Sequence, residues 1–287
     1  MNRNQGYRYR HVVSGDVVEQ SAASFMASTF DHSSKQQWQL RLDQGEVTRN
    51  DVAIGPDDPV SPGDVIVWER PGWIEDDVPM SYSILYQDED LLAVDKPSGL
   101  PTLPGGGFYR HTLLSLVRGD FPAAIPLHRL GRCTSGILLF ARNRPTAATV
   151  SKDWPNVQKQ YRAVAQHLAA QDSYDIQTPI GPCDHPRLGS VHAATVDGKP
   201  SRSVARVVQR RSQSTIFDVD LHTGRPHQIR IHLASIGHPL VGDPLYDVGG
   251  KPKQENPGLP GDGGYQLRAT RLIFNHPTTG RPVVIKA

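Results

Sequence analysis

Apolar residues in this chain rarely keep a helical period for long; more often they alternate, or cluster in short runs bounded by Gly, Pro, Asn and Asp. The exceptions lie near the start. In SAASFMASTF, residues 21–30, Phe25, Met26 and Phe30 recur at helical spacing. In DHSSKQQWQLRLDQG, the cluster Asp31 to Ser34 can cap a second helix that carries Trp38, Leu40 and Leu42 and stops at Gly45. EVTRNDVAI and VSPGDVIVWERP then read as strands, so the first segment is expected to be a compact module of two helices and a small sheet. RPGWIEDDVPM has the composition of a linker and sets a boundary near residue 75, giving segments 1–75 and 76–287.

The second segment opens with a predicted hairpin. Ile84 to Tyr86 and Leu91 to Val94 flank Gln-Asp-Glu-Asp, and Lys96-Pro97 ends the second strand. GLPTLPGGGFYRHT holds too much Gly and Pro for a regular element and is expected to be an ordered loop. HTLLSLVRG reads as a short helix and GILLFARN as a buried strand, while SVARVVQRRS and TIFDVDLHTG read as paired strands. In GRPHQIRIHLASIGHP, Ile229, Leu233 and Ile236 predict an amphipathic helix with Pro226 in its first turn and Gly237 and Pro239 at its end. LRATRLIFNHPTTGRPVVIKA predicts two strands around the turn His276 to Gly280. The sum is α+β with a mostly antiparallel sheet.

Composition narrows the function classes. No apolar run approaches the roughly 20 residues of a membrane span, and MNRNQGYRYRHVV lacks the apolar core of a secretory signal, so a cytoplasmic protein is expected. Only Cys133 and Cys183 are present, which excludes a disulfide framework. Twelve His contain no HExxH or Cys/His cluster, so no metal is expected; GGG at 105–107 is not a P-loop. The net charge of +2 means that any nucleic-acid site must be a local patch. Nothing demands more than a monomer.

Three segments could carry chemistry. PLHRLGRCTSGILLFAR, residues 126–142, sets His128, Arg129 and Arg132 beside Gly131, Thr134 and Ser135, a loop able to receive a polyanion or simply to feed a core strand. HTGRPHQIRIHLA, residues 222–234, puts Arg225, His227 and Arg230 at a helix N-terminus where an anion is favoured; alternatively Arg230 and His232 face solvent while the apolar stripe packs. KQYRAVAQH, residues 159–167, places Tyr161 between Lys159 and Arg162, suited to stacking on a base or to half-burial in a strand.

Together these residues resemble the RluA-type RNA pseudouridine synthases. The resemblance is carried by LLAVDKPSGLPT (91–102), HRLGRCTSGILLFAR (128–142), GRPHQIRIHLASIGHPLVGDPLY (225–246) and LRATRLIFNHPTTG (267–280), with KQYRA between the second and third, and the first segment resembles an alpha-L type RNA-binding module. It implies a cofactor-free enzyme with a mixed, mainly antiparallel sheet that isomerises uridine to pseudouridine in structured ribosomal or transfer RNA, flipping the nucleotide out of its stack. By the resemblance, Tyr161 is the base-stacking residue, Arg230 the partner of the catalytic carboxylate, and Arg129 the residue that fills the vacated stack; His128, Arg132, Thr134, Arg225 and His227 would contact RNA.

The family pattern His-Arg-Leu-Asp reads His128, Arg129, Leu130, Gly131 here, so glycine stands where the family has its catalytic Asp. Glycine offers no nucleophile or base. Arg230, if buried, would then lack its counter-charge unless another acid or an RNA anion took the place. Asp243, Asp218 and Asp220 are the acids to weigh, and Cys133 beside Arg132 is a possible nucleophile. Two readings follow: an isomerase with a variant site, or a catalytically silent RNA-binding or RNA-chaperone protein on the same fold.

Overall fold

The computed structural model describes residues 3–30 and 32–287. The chain divides into two compact units, the first ending at Glu75 and the second spanning Asp76–Ala287.

In the first unit, strands Tyr7–Val12, Val65–Arg70, Val47–Arg49 and Val52–Ala53 form one antiparallel sheet in that order. Two helices, Ala22–Thr29 and Lys35–Asp43, bury Phe25, Met26, Trp38 and Leu42 in its core. The second helix starts where sequence reasoning puts it: Ser34 accepts from the Gln37 amide and Gln37 returns a bond to the Ser34 amide, a complete capping box. Asp31, read as part of the same cap, lies outside the described residues. The strand Tyr7–Val12 is an addition to the sequence reading, which gave YRYRHV no element.

The second unit is built on one large sheet. Its path runs through Ser173–Ile176, Ser203–Arg210, Ser214–Leu221, Gln158–Gln166, Leu267–Asn275, Ser135–Ala141, Leu91–Lys96 and Ser83–Gln87, with Pro282–Lys286 paired beside Leu267–Asn275. Every neighbouring pair on the path is antiparallel except Ser135–Ala141 against Leu267–Asn275. The fold is therefore α+β with a mixed, mainly antiparallel sheet. The hairpin at 83–96, the pair at 203–221 and the C-terminal pair all form as their turn residues predict. A helix at Arg144–Asp153 and a hairpin Ile180–His185 with Gly189–Ala194 are further elements that the apolar pattern did not signal. Among the described residues no helix is long and apolar enough to cross a membrane.

The single parallel contact has a steric signature. Gly136 pairs with Ala269 there at φ +103°, and a Cβ on it would fall 2.1 Å from the Ala269 carbonyl oxygen. Only glycine lets the two strands approach this closely. Because the loop 128–134 runs directly into this strand, the contact also fixes where that loop begins. Gly136→Ala is expected to destabilise the protein by at least about 2 kcal/mol, since it combines overpacking with a disfavoured φ; chemical denaturation of the two proteins measures the difference.

Candidate active site

The loop at Gly131 is clasped by the segment that follows the strand Leu91–Lys96. Lys96 is fully buried, and its Nζ donates to the carbonyls of Pro97, Leu100 and Arg132 at 2.9, 2.6 and 2.9 Å. Three carbonyl dipoles take the place of a carboxylate, and burial pushes the Lys96 pKa down to about 8. The Thr102 hydroxyl donates to the Leu130 carbonyl at 2.8 Å and accepts from the Leu130 amide at 3.2 Å. Ser98 Oγ donates to the Cys133 carbonyl at 2.8 Å. The backbone around position 131 is thus held by partners thirty or so residues away as well as by its own turn, in which the Thr134 amide donates to the Gly131 carbonyl at 3.0 Å.

The helix of the third motif is Gln228–Ser235, two residues shorter at its start than Pro226 suggested; His227 precedes it in the left-handed region at φ +54°. It is not amphipathic, because Gln228 through Ala234 are all buried, Arg230 and His232 included. The solvent-facing alternative for those two side chains is overturned. His232 is consumed by Ser201, Ser203 and the Thr178 carbonyl.

Arg230 is not left without a counter-charge. Its Nε and Nη2 donate to the two carboxylate oxygens of Asp243 at 2.8 and 2.7 Å, and Nη1 donates to the Pro260 carbonyl at 3.2 Å. Asp243 also accepts from the Leu245 and Tyr246 amides. Burial alone would raise the Asp243 pKa, but the Arg230 hydrogen bonds and charge, with those amides, outweigh it and hold the carboxyl below its ordinary range. The guanidinium lies against two aromatic rings, Tyr265 at 4.4 Å and Tyr246 at 5.0 Å.

All nine residues singled out from the sequence, Gly131, Tyr161, Arg230, His128, Arg129, Arg132, Thr134, Arg225 and His227, line one cleft of about 1090 Å³. Tyr161 sits in the strand Gln158–Gln166 with 8% of its surface exposed, and burial pushes its pKa up to about 12. Arg129 is exposed, whereas Arg225 is turned to the Pro200 carbonyl and Arg132 to the Gly261 carbonyl. Sequence reasoning passed over Trp154 and Tyr265, which line the same cleft. The signal for Tyr265 was a lone aromatic in the Gly-rich run PGDGGYQL.

Of the three histidines that line the cleft, His222 is exposed, and His128 and His227 are neutral. His128 Nε2 accepts from the Leu139 amide at 3.0 Å and its ring stacks on Trp154 at 4.9 Å; burial, then the Lys159 charge, pushes its pKa down to about 3. The Tyr246 hydroxyl gives its one proton to the His192 carbonyl, so at 2.8 Å it must accept from His227 Nδ1, leaving Nε2 unprotonated. Burial, then the Arg230 charge, pushes the His227 pKa down to about 4. Arg129, Arg132, Lys159, Arg225 and Arg230 are the lysine and arginine side chains that line the cleft.

Among the described residues no Asp or Glu lines the cleft. Asp243 is sealed behind Arg230, Asp218 pairs with Arg162 through two hydrogen bonds, and Asp220 pairs with Arg206 and Gln160. Asp262, next to the cleft, accepts from the Leu259 amide and faces Arg132 at 3.8 Å. Cys133 is turned away as well: its thiol lies against Gly263, where a Cβ would come within 2.5 Å of the sulfur, and it approaches the Gly261 carbonyl at 3.8 Å.

Comparison with known proteins accounts for this architecture. Residues 90–235 match the family described as RNA pseudouridylate synthase. The chain belongs to that family. It is 40% identical to an uncharacterised RNA pseudouridine synthase of Synechocystis sp., with 92% of each chain covered, and 33% identical to RNA pseudouridine synthase 5 of Arabidopsis thaliana, covering 94% of this chain and 88% of that one. It is also 33% identical to the ribosomal large subunit pseudouridine synthase D of Neisseria meningitidis serogroup A, covering 88% and 71%. The human RNA pseudouridylate synthase domain containing 1 shares the fold, with a TM-score of 0.57 and 23% identity over 75% of this chain and 86% of that one.

Two expectations follow from these contacts. Below about pH 6.5 the unfolded chain takes up protons that folded His128 and His227 refuse until about pH 3 and 4, so stability falls as pH drops through that window. The melting temperature should fall accordingly, and fall less in His128→Gln, as a pH series of thermal melts records. Asp243→Asn removes the charge that answers buried Arg230 and is expected to cost about 3 kcal/mol or more in denaturant unfolding.

Proposed function

We propose that this protein isomerises uridine to pseudouridine in structured ribosomal or transfer RNA, without a carboxylate at position 131. The observation that carries the reading is the convergence of three separate motif segments on one cationic cleft around Tyr161 and Arg230, in a chain of this family. In it, Tyr161 stacks on the flipped uracil, exposed Arg129 enters the vacated stack, and Arg132, Arg225 and Lys159 meet phosphate oxygens. His128 acts through its ring against Trp154, since it carries no charge. The alpha-L type module, residues 1–75, supplies a second RNA contact; its strand Tyr7–Val12 leaves Tyr7 and Tyr9 exposed, rings suited to stacking on bases. With RNA as its substrate, the protein is proposed to act in the cytoplasm as a monomer.

A second reading is favoured by one observation, the absence of any acid among the described lining residues: an RNA-binding or RNA-chaperone protein that has given up the chemistry. A side chain can begin at 131 without a clash, because a Cβ there makes only ordinary contacts, at 3.6 Å to Thr134 Oγ1 and 3.8 Å to the Tyr265 hydroxyl oxygen. Pseudouridine mapping of ribosomal and transfer RNA from cells with and without the gene is expected to show a site lost on deletion and restored by the wild-type gene. No wild-type site, with one appearing in Gly131→Asp, would establish the silent binder instead.

A further inference from the structure

With glycine at 131, some other group must handle protons if the isomerisation proposed above takes place, and one side chain stands at the right spot. Among the described residues, and apart from its chain neighbours, two side-chain groups lie within 4 Å of the point where a side chain at 131 would begin: Thr134 Oγ1 and the Tyr265 hydroxyl. Tyr265 lines the cleft with 8% of its surface exposed, and the Arg230 guanidinium lies 4.4 Å from its ring centre. We propose that Tyr265 is the catalytic residue of this cleft, its hydroxyl moving the proton that the isomerisation must carry from C5 to N1 of the uracil. The assignment rests on the isomerase reading.

The reaction breaks the N1–C1′ bond, makes a C5–C1′ bond, and exchanges the hydrogen on C5 for one on N1. As the bonding pair of N1–C1′ passes to N1, the Tyr265 hydroxyl delivers its proton there, leaving a phenolate beside Arg230 and a cationic sugar carbon. After the base turns, the C5=C6 pair forms the C5–C1′ bond. The phenolate then takes the C5 proton, the C–H pair restores C5=C6, and the hydroxyl is regenerated. Atoms and charge balance with no co-reactant. Burial opposes a Tyr265 phenolate, whereas the Arg230 charge favours it, so the ion lasts only between the two transfers. The acids nearby are already committed, Asp243 to Arg230 and Asp262 to the Leu259 amide and Arg132.

The test compares wild type with Tyr265→Phe, Asp262→Asn and the double variant Gly131→Asp/Tyr265→Phe, using the full chain and unmodified transcripts of the RNA mapped above. Tyr265→Phe keeps the ring against Arg230 and removes only the hydroxyl. Its single-turnover rate is expected to fall by about 100-fold or more while RNA affinity stays within about twofold. The double variant is expected to regain pseudouridine formation, and Asp262→Asn to retain it. A Tyr265→Phe rate within about threefold of wild type overturns the proposal, as does a parallel loss of RNA affinity without recovery in the double variant, which would make the hydroxyl structural. Wild type that forms no pseudouridine on any transcript, while Gly131→Asp does, brings down the isomerase reading itself and the role of Tyr265 with it.

Discussion

A buried guanidinium has to be answered by charge, and the way Arg230 is answered organises the whole site. Asp243 meets it with both oxygens from a turn thirteen residues further on, and the same carboxylate holds the Leu245 and Tyr246 amides. The third guanidinium nitrogen reaches the Pro260 carbonyl, and the rings of Tyr246 and Tyr265 lie against the cation. One ion pair therefore ties the helix Gln228–Ser235 to the turn at Asp243, the loop at Pro260 and the tyrosine that faces position 131. An isolated pair of this kind can cost as much in desolvation as it returns. Here each guanidinium nitrogen and each carboxylate oxygen has a partner, which is the condition under which such a pair specifies a geometry.

That arrangement explains how glycine is tolerated at 131. Arg230 has its counter-charge in Asp243, so the lack of a carboxylate at 131 leaves this buried cation compensated. The loop itself does not depend on a side chain at 131 either, because Lys96, Thr102 and Ser98 hold the carbonyls of Arg132, Leu130 and Cys133. Position 131 is structurally free, and the constraint it has lost is chemical.

Much of this was legible in the sequence, for identifiable reasons. Hairpins bounded by Gln-Asp-Glu-Asp or His-Pro-Thr-Thr-Gly declare themselves because apolar runs and turn residues alternate sharply. The nine cleft residues stood out because they cluster within short motifs, although only the fold brings residues 131, 161 and 230 to one wall. The helix Arg144–Asp153 had a signal that went unused, Asn143 as its cap with Pro145 in its first turn, but its few apolar residues give no stripe. The helix Gln228–Ser235 looked amphipathic because its polar residues were assumed to need water; Arg230, His232 and Gln228 instead find their partners inside the protein. Such pairings join residues far apart in sequence, and periodicity cannot report them. The same holds for Tyr265, whose Gly-rich surroundings suggest only a loop.

Electrostatics separates what this cleft binds from what it could transform. With His128 and His227 neutral down to about pH 3 and 4, much of the charge facing the cleft is that of Arg129, Arg132, Arg225 and Arg230, and arginine keeps its charge through the neutral range. The attraction of these arginines for a polyanion does not titrate there, while salt acts on it directly. A carboxylate in such a cleft would offset part of this charge and supply a base at once. Glycine gives up the base and strengthens the field, so the cleft favours an anionic ligand and any anion that forms within it, whether a departing uracil or a tyrosine oxygen. Arg230, held rigid by Asp243 against the Tyr265 ring, is placed to stabilise such an anion without reorganising.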